Sequence, residues 1–328
     1  MTLPDSIPYP TTPAARDRWI LDHRPARHEV NPLRPYAYLV EPERAANSEV
    51  VPVATVFLTN RECPWRCLMC DLWRNTLTTT VPPGAITAQI DYALQRLPAA
   101  RQIKLYNSGS FFDPRAIPRE DYAAIASRLQ GFERVIVECH PSLVGEACWR
   151  FQGMLQGQLE VAMGLETVHP EIGPLLNKRM TLERFAATAH LLQQHAVALR
   201  VFVLVKPPFM DEAEGVYWAE RSVDFALDCG AEVVALIPTR PGNGALDVLM
   251  AQGHFSPPKL SSLEAAFAYA LTRVQKHPKA RVFADVWDLA QFSSCDDCLP
   301  VREERLKQMN FKQQIAPGFT CPGCGESV

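Results

Sequence analysis

Val51-Pro-Val-Ala-Thr-Val-Phe-Leu58 leads almost directly into Arg61-Glu-Cys-Pro-Trp-Arg-Cys-Leu-Met-Cys70. The first stretch is apolar and rich in β-branched residues, the composition of a strand covered on both faces. The second is a polar loop that carries Cys63, Cys67 and Cys70 at C-x3-C-x2-C spacing. Three thiolates on one short loop can hold three corners of a cubane 4Fe-4S cluster and leave the fourth iron without a protein ligand. An open iron is a place for chemistry, as an open coordination position is in a catalytic metal site. Structural zinc sites are usually built from paired C-x2-C units, which this spacing is not. Plain buried thiols do not usually cluster in this way on a polar loop.

Outward from that strand, short apolar runs recur at residues 102–106, 134–138, 159–165, 199–205 and 232–237. Helical patterns lie between them, at 86–97, 119–129, 143–155, 182–195 and 212–229. Thr181, followed by Glu183 and Arg184, marks a helix start, and Ser261-Ser-Leu-Glu264 has the form of a capping box. Buried strands separated by helices indicate parallel β-α units. Six of them predict an α/β fold, a partial (βα)6 barrel, with one further strand at 281–286. The expected organisation is an extended arm rich in proline and arginine (1–45), the barrel (46–285) and a cysteine-rich tail (286–328).

At 328 residues and 47% hydrophobic, the chain can bury a large core. It has no apolar run long enough to span a membrane, and Met1 to Pro8 lack the features of a secretory signal. Ten cysteines outside a secretory context point to metal sites in a reducing cytoplasm rather than to disulfides. A net charge of −3 argues against a general electrostatic affinity for nucleic acid. Two basic segments, from Arg16 to Arg34 and from Arg302 to Lys312, are expected as solvated surface.

Chemistry in such barrels collects at the C-terminal ends of the strands. There stand Tyr106-Asn-Ser-Gly-Ser-Phe-Phe-Asp113, Glu138-Cys-His-Pro141, Gly164-Leu-Glu-Thr167, Val205-Lys-Pro-Pro-Phe209 and Pro238-Thr-Arg-Pro-Gly-Asn-Gly-Ala245. Glu138 and Glu166 are carboxylates able to accept from ribose hydroxyls or an ammonium group. Lys178 or Arg179 is placed to pair with a ligand carboxylate. Alternation along the strand aims Arg200 and Lys206 at the same mouth, and Arg240 and Asn243 are candidates for reading substrate.

With these residues in place, the sequence resembles the radical S-adenosylmethionine (SAM) enzymes. Within them it is most similar to the archaeosine-biosynthesis family, relatives of the Elongator-type catalytic subunit. The cysteine loop carries the resemblance to the superfamily; Gly-Leu-Glu-Thr, the run from Leu176 to Phe185 and the Pro-Gly-Asn-Gly loop carry it to the branch. The resemblance implies that the open iron chelates SAM and that reductive cleavage yields a 5′-deoxyadenosyl radical. It implies an electron donor such as flavodoxin or ferredoxin, and a modified nucleoside or a small metabolite as substrate, with tRNA as a candidate partner. The family's Gly-Gly-Glu-like turn, whose backbone receives the SAM ammonium, is replaced here by Ser108-Gly109-Ser110. By resemblance and strand position, the cofactor-binding candidates are Ser108, Gly109, Ser110, Glu138, Glu166, Arg179 and Lys206.

Cys295-Asp-Asp-Cys298 and Cys321-Pro-Gly-Cys324 form two C-x2-C pairs near the end of the chain. Four thiolates in two short knuckles suit tetrahedral zinc, and an auxiliary iron-sulfur cluster is the competing reading. A wholly different class also stands open: a non-catalytic metal-binding or nucleic-acid-binding protein on a degenerate barrel. The intact three-cysteine loop favours the enzyme.

Overall fold

A strand covered on both faces needs a crossover before its parallel neighbour, and the apolar runs obey that rule. In the computed structural model, which describes residues 9–325, the strands are β1 (Ala37–Arg44), β2 (Val50–Phe57), β3 (Gln102–Tyr106), β4 (Arg134–Glu138), β5 (Gln158–Glu166), β6 (Ala198–Val205), β7 (Val233–Pro238) and β8 (Arg281–Ala284). They make one sheet in the order β1 to β8. β2 to β8 are parallel, and β1 runs antiparallel to β2. The helices are α1 (Pro13–Asp22), α2 (Ala85–Leu94), α3 (Tyr122–Arg128), α4 (Glu146–Gln152), α5 (Ile172–Leu175), α6 (Leu182–Gln194), α7 (Glu212–Asp228), α8 (Ala245–Ala251), α9 (Leu260–Val274) and α10 (Leu299–Lys312). Every expected strand appears. None of the described helices is long and apolar enough to cross a membrane.

Alternation divides each strand between two environments. Val56, Ile103, Val135, Val161, Val201 and Val234 join the main core with Ile86, Phe151, Phe185, Leu192, Val223 and Phe267 from the helices. The opposite face lines the lumen. Its floor is charged: Glu160 accepts from Arg134 and from Arg200 Nε at 2.5 Å, while Glu43 accepts from Lys104 at 2.5 Å and Arg200 Nη2 at 2.6 Å. Burial works to raise the pKa of both carboxylates, and the facing cations overcome it, holding Glu160 down at about 2 and Glu43 well below the carboxylate range. Such a floor is stable because each buried anion has two cations.

The structure corrects three expectations. The first 45 residues are not an extended arm throughout, since they hold α1 and the edge strand β1; Met1 to Pro8 lie outside the described residues. Ser261-Ser-Leu-Glu264 is not a capping box: α9 is capped at Lys259, and buried Glu264 is bound instead by buried Arg302 at 2.6 Å. Nor are the two basic segments plain solvated surface. Arg16 and Arg302 are buried, and Arg24 is held in an ion pair with Glu62 at 2.7 Å. Thr181 does cap α6, its side chain accepting from Arg184 N–H.

Candidate active site

The cysteine loop leaves the C-terminal end of β2 and is fastened from four directions. Asn243, in the loop after β7, donates to Leu68 O at 2.7 Å and to Cys70 O at 3.3 Å, while its own Oδ1 caps Leu246 N–H at 2.7 Å. Asn177 donates to Arg66 O at 2.7 Å, and Leu68 N–H bonds Leu176 O at 2.9 Å. Glu62, just before the first cysteine, gathers Arg24, Arg27 and Arg66. Trp65, between the cysteines, stacks on His140 with ring centres 3.8 Å apart. His140 Nδ1 accepts from Ser142 N–H, so Nε2 carries the proton and donates to Lys178 O at 3.1 Å. Burial, with Lys178 nearby, pushes the imidazole down to about 4.

Gly109 explains how the turn after β3 meets this loop. A Cβ on Gly109 would lie 3.3 Å from Cys63 Cβ. Ser108 sits in the left-handed region at φ 53° and presents its N–H, with that of Asn107, to Glu138 Oε2 at 3.1 and 2.9 Å. Ser110 Oγ accepts from His140 N–H at 2.9 Å. Burial raises the Glu138 carboxyl to about 7 against the pull of those backbone donors, so near neutrality it can hold or release a proton. Ser108, Gly109, Ser110 and Glu138 therefore share one corner with Cys63.

Glu166 and Lys178 form the second corner. Glu166 stands at φ 67° where the register between β5 and β6 shifts, and its carboxylate is ion-paired with Lys178. The pair lies over the bare backbone of Gly164, where a Cβ would be 2.1 Å from Glu166 Oε1 and 2.2 Å from Lys178 Nζ. Burial opposes the charge on Lys178, but Glu166 and Cys67 more than offset it and raise the amine above its ordinary range. Sequence reasoning weighed Lys178 and Arg179 together. The structure brings Lys178 into the site and turns Arg179 outward to Asp17 of α1.

Four further candidates belong to the scaffold. Lys206 is buried, with Nζ bound to Glu212 at 2.7 Å and to Ser256 Oγ at 2.6 Å, and Gly215 packs on its stem. Its amine is wholly engaged there, so it is not a cofactor ligand in this arrangement. Arg200 faces the lumen, as alternation required, but at the charged floor rather than the mouth. Arg240 pairs with Asp285 at 2.9 Å, and Asn243 binds the cysteine loop in place of a ligand. Asn177 and the Glu62 cluster escaped notice, and Asn243 was assigned to substrate rather than to the loop, because their partners Arg66, Arg24, Arg27 and Leu68 lie mostly far along the chain.

Between floor and mouth runs an arc of rings. Tyr36, Phe57, Tyr106 and Phe202 follow one another with centres 5.6, 6.2 and 6.2 Å apart, and Trp287 lies 6.1 Å from Phe57. Trp287 is 46% exposed and donates its indole N–H to Glu41 at 3.0 Å, across the gap between β1 and β8.

The cysteine thiols of the loop are pushed up to about 12, first by burial and then by one another or neighbouring acids. Three cysteines on one short loop are the donor set that a 4Fe-4S cluster takes, and each thiolate would sit on a separate iron. Of the described residues, the group that converges as closely as a single ion requires is Cys295, Cys298, Cys321 and Cys324, whose sulfurs all lie within 4.8 Å of one another. Backbone N–H groups of Cys324 and Gly323 pull the Cys321 thiol down, which favours the thiolate a metal needs. This is a four-cysteine metal-binding group.

Methylornithine synthase matches 92% of this chain and 74% of its own at a TM-score of 0.52, with 13% identity. The two chains share a fold, a partial α/β barrel. No protein-family model matches the sequence. An uncharacterised protein of Methanocaldococcus jannaschii is 23% identical over 80% of this chain and 76% of its own. Archaeosine synthase subunit beta of Methanosarcina acetivorans is 26% identical over 70% and 69%. The chain spans 39% of the length of the radical SAM methyltransferase TsrM of Kitasatospora setae, at a TM-score of 0.44. On this partial barrel the cysteine loop, the Ser-Gly-Ser turn and the Glu166–Lys178 pair all meet at the C-terminal mouth.

Proposed function

We propose that this chain is a radical SAM enzyme acting on a modified nucleoside. The observation that carries the reading is the three-cysteine loop, fastened over the barrel mouth with Cys63 against Gly109. Cys63, Cys67 and Cys70 would hold the 4Fe-4S cluster. Bound there with SAM, the cluster supplies one-electron chemistry that ends in hydrogen abstraction. Around it, the backbone of Ser108 to Ser110 and the carboxyl of Glu138 would receive SAM's polar groups. Glu166 would accept from ribose hydroxyls or the ammonium, and Lys178 would both orient Glu166 and meet the SAM carboxylate. Asn243, Asn177 and the Trp65–His140 stack keep the loop in place while SAM exchanges.

The likeness to archaeosine synthase subunit beta supports a tRNA nucleoside as substrate. So does the aromatic arc, because a planar base stacks on Tyr106, Phe202 or Trp287. A flavodoxin- or ferredoxin-type donor would deliver the electron in the cytoplasm. Zinc at the four C-terminal cysteines completes the reading, since two short knuckles whose sulfurs converge on one point suit a single tetrahedral ion. The test is to reconstitute the protein anaerobically with iron and sulfide, add SAM and reductant, and follow SAM cleavage with and without tRNA carrying the deazaguanine lysine adduct. Turnover of the tRNA base supports the reading. SAM cleavage that no nucleoside stimulates or consumes refutes the substrate assignment.

A further inference from the structure

The partial barrel leaves β8 as an edge, and an edge strand presents unpaired N–H and C=O groups. β8 pairs with β7 through the N–H groups of Arg281 and Asp285, at 2.9 Å to Glu232 O and Leu236 O. Val282 and Ala284 therefore turn their backbone groups to the open side. No strand is there. Instead Gln313 accepts from Val282 N–H and donates to Val282 O, both at 2.7 Å. Asn310 does the same for Ala284, both at 2.9 Å. Each side-chain amide offers one acceptor and one donor in a plane, as a strand residue does. Asn310 lies in the last turn of α10 and Gln313 is its C-cap residue, and the two together act as a surrogate ninth strand.

The opposite end of α10 is the metal-binding group. Cys298 is its N-cap residue, and Cys295 precedes it. The Cys321–Cys324 knuckle returns to the same point, where a Cβ on Gly323 would lie 2.7 Å from Asp297 Oδ2. α10 also meets β1, through Arg44 Nη1 donating to Phe311 O at 2.7 Å. It thus bridges the two free edges of the sheet. Its own anchors are few: Leu306 and Met309 are buried, and buried Arg302 pairs with Glu264 of α9 at 2.6 Å, but most of its other residues are polar or charged.

We propose that metal at Cys295, Cys298, Cys321 and Cys324 is a latch that holds α10 in register along the barrel seam, so that Asn310 and Gln313 complete the edge of β8. This rests on the reading of that group as a zinc site and is independent of the chemistry at the barrel mouth. Metal binding and local folding are coupled in such small modules, so losing the ion frees the start of the helix and the knuckle together. The two amides then no longer have a fixed partner strand, and the seam under Trp287 loosens.

The test uses the full-length protein as isolated. Bound metal is first counted by mass spectrometry, and backbone hydrogen exchange is then measured before and after zinc is removed with a chelator. Exchange at the Val282 and Ala284 amides should quicken by about tenfold or more on removal, while β5 and β6 keep their protection. Asn310→Ala with Gln313→Ala should quicken the same two amides with zinc still bound, which separates the amide contacts from general damage. Zinc present and removable, with exchange at Val282 and Ala284 unchanged, overturns the latch and leaves the zinc site standing. Protein as isolated that holds no metal at these cysteines overturns the zinc reading and the latch with it.

Discussion

Asn243→Ala removes the side chain that joins the cysteine loop to the loop after β7. Two buried bonds are lost: the donation to Leu68 O at 2.7 Å and the cap on Leu246 N–H at 2.7 Å. Alanine offers neither group, and both backbone partners remain buried. A buried hydrogen-bonding group left without a partner costs about 1–3 kcal/mol, so the two together come to about 2–4 kcal/mol after partial relaxation. Only the share for Leu68 O, about 1–3 kcal/mol, falls on the cysteine loop, because no other described residue bonds Leu68 O; the lost cap falls on α8. Local opening of residues 63–70 should therefore become about fivefold to a hundredfold more frequent, at 1.4 kcal/mol per decade. Hydrogen exchange on the cluster-free protein reads this directly, and release of iron to a chelator reads it on the reconstituted protein. Asn243→Asp keeps the cap on Leu246 but loses the donor, so it should loosen the loop without fraying α8. Unchanged exchange across residues 63–70 in folded Asn243→Ala would refute the strut.

Glu166→Gln keeps the side-chain shape but removes the charge facing Lys178. SAM affinity should fall by about tenfold or more at matched cluster loading, because one charge-assisted bond is worth about 1.5–3 kcal/mol; equal affinity by titration would return Glu166 to the scaffold. The floor carboxylates make stability acid-sensitive. Glu43 and Glu160 are both held below their ordinary range, so the stability they add is complete above about 4.5 and drains away as pH falls toward about 2. Glu160→Gln should be less stable at neutral pH and lose less on acidification, as followed by circular dichroism; a steeper acid transition in the variant contradicts the network. Trp287→Ala should raise KM for a nucleoside substrate by about tenfold while leaving uncoupled SAM cleavage alone, since base–aromatic stacking is worth about 1–3 kcal/mol; an unchanged KM removes Trp287 from the substrate path.

Much of the architecture was legible because parallel strands are written as short, mostly apolar runs. Residues 51–58 and 199–205 could be read that way without any knowledge of their neighbours. The cysteine loop was legible for the same reason: its spacing is local. Contacts between distant segments were not. Asn243 reaches the loop across 175 residues, and its glycine-rich surroundings pointed to a substrate contact rather than to the cysteine loop. Alternation told which face Arg200 and Lys206 occupy but not how deep each lies. Depth decided that Arg200 joins the floor and that Lys206 is held by Glu212 and Ser256. The capping-box reading of Ser261 to Glu264 failed because Arg302 offers Glu264 a buried, charged partner that a backbone N–H cannot match. The helix and the strand within the first 45 residues were hidden by proline-rich composition, although Pro13 stands at the start of α1, where its missing N–H costs nothing.

In the proposed function, Cys63, Cys67 and Cys70 hold a 4Fe-4S cluster that activates SAM at the barrel mouth. The most direct measurement of that function is 5′-deoxyadenosine formed from SAM by anaerobically reconstituted protein under reductant, with bound iron counted in the same sample. About four irons at this site and SAM cleavage are expected in the wild type. In Cys67→Ala no cleavage is expected while the four C-terminal cysteines keep their metal. Full cleavage by Cys67→Ala, or a wild type that binds the iron and leaves SAM intact, would contradict the proposal.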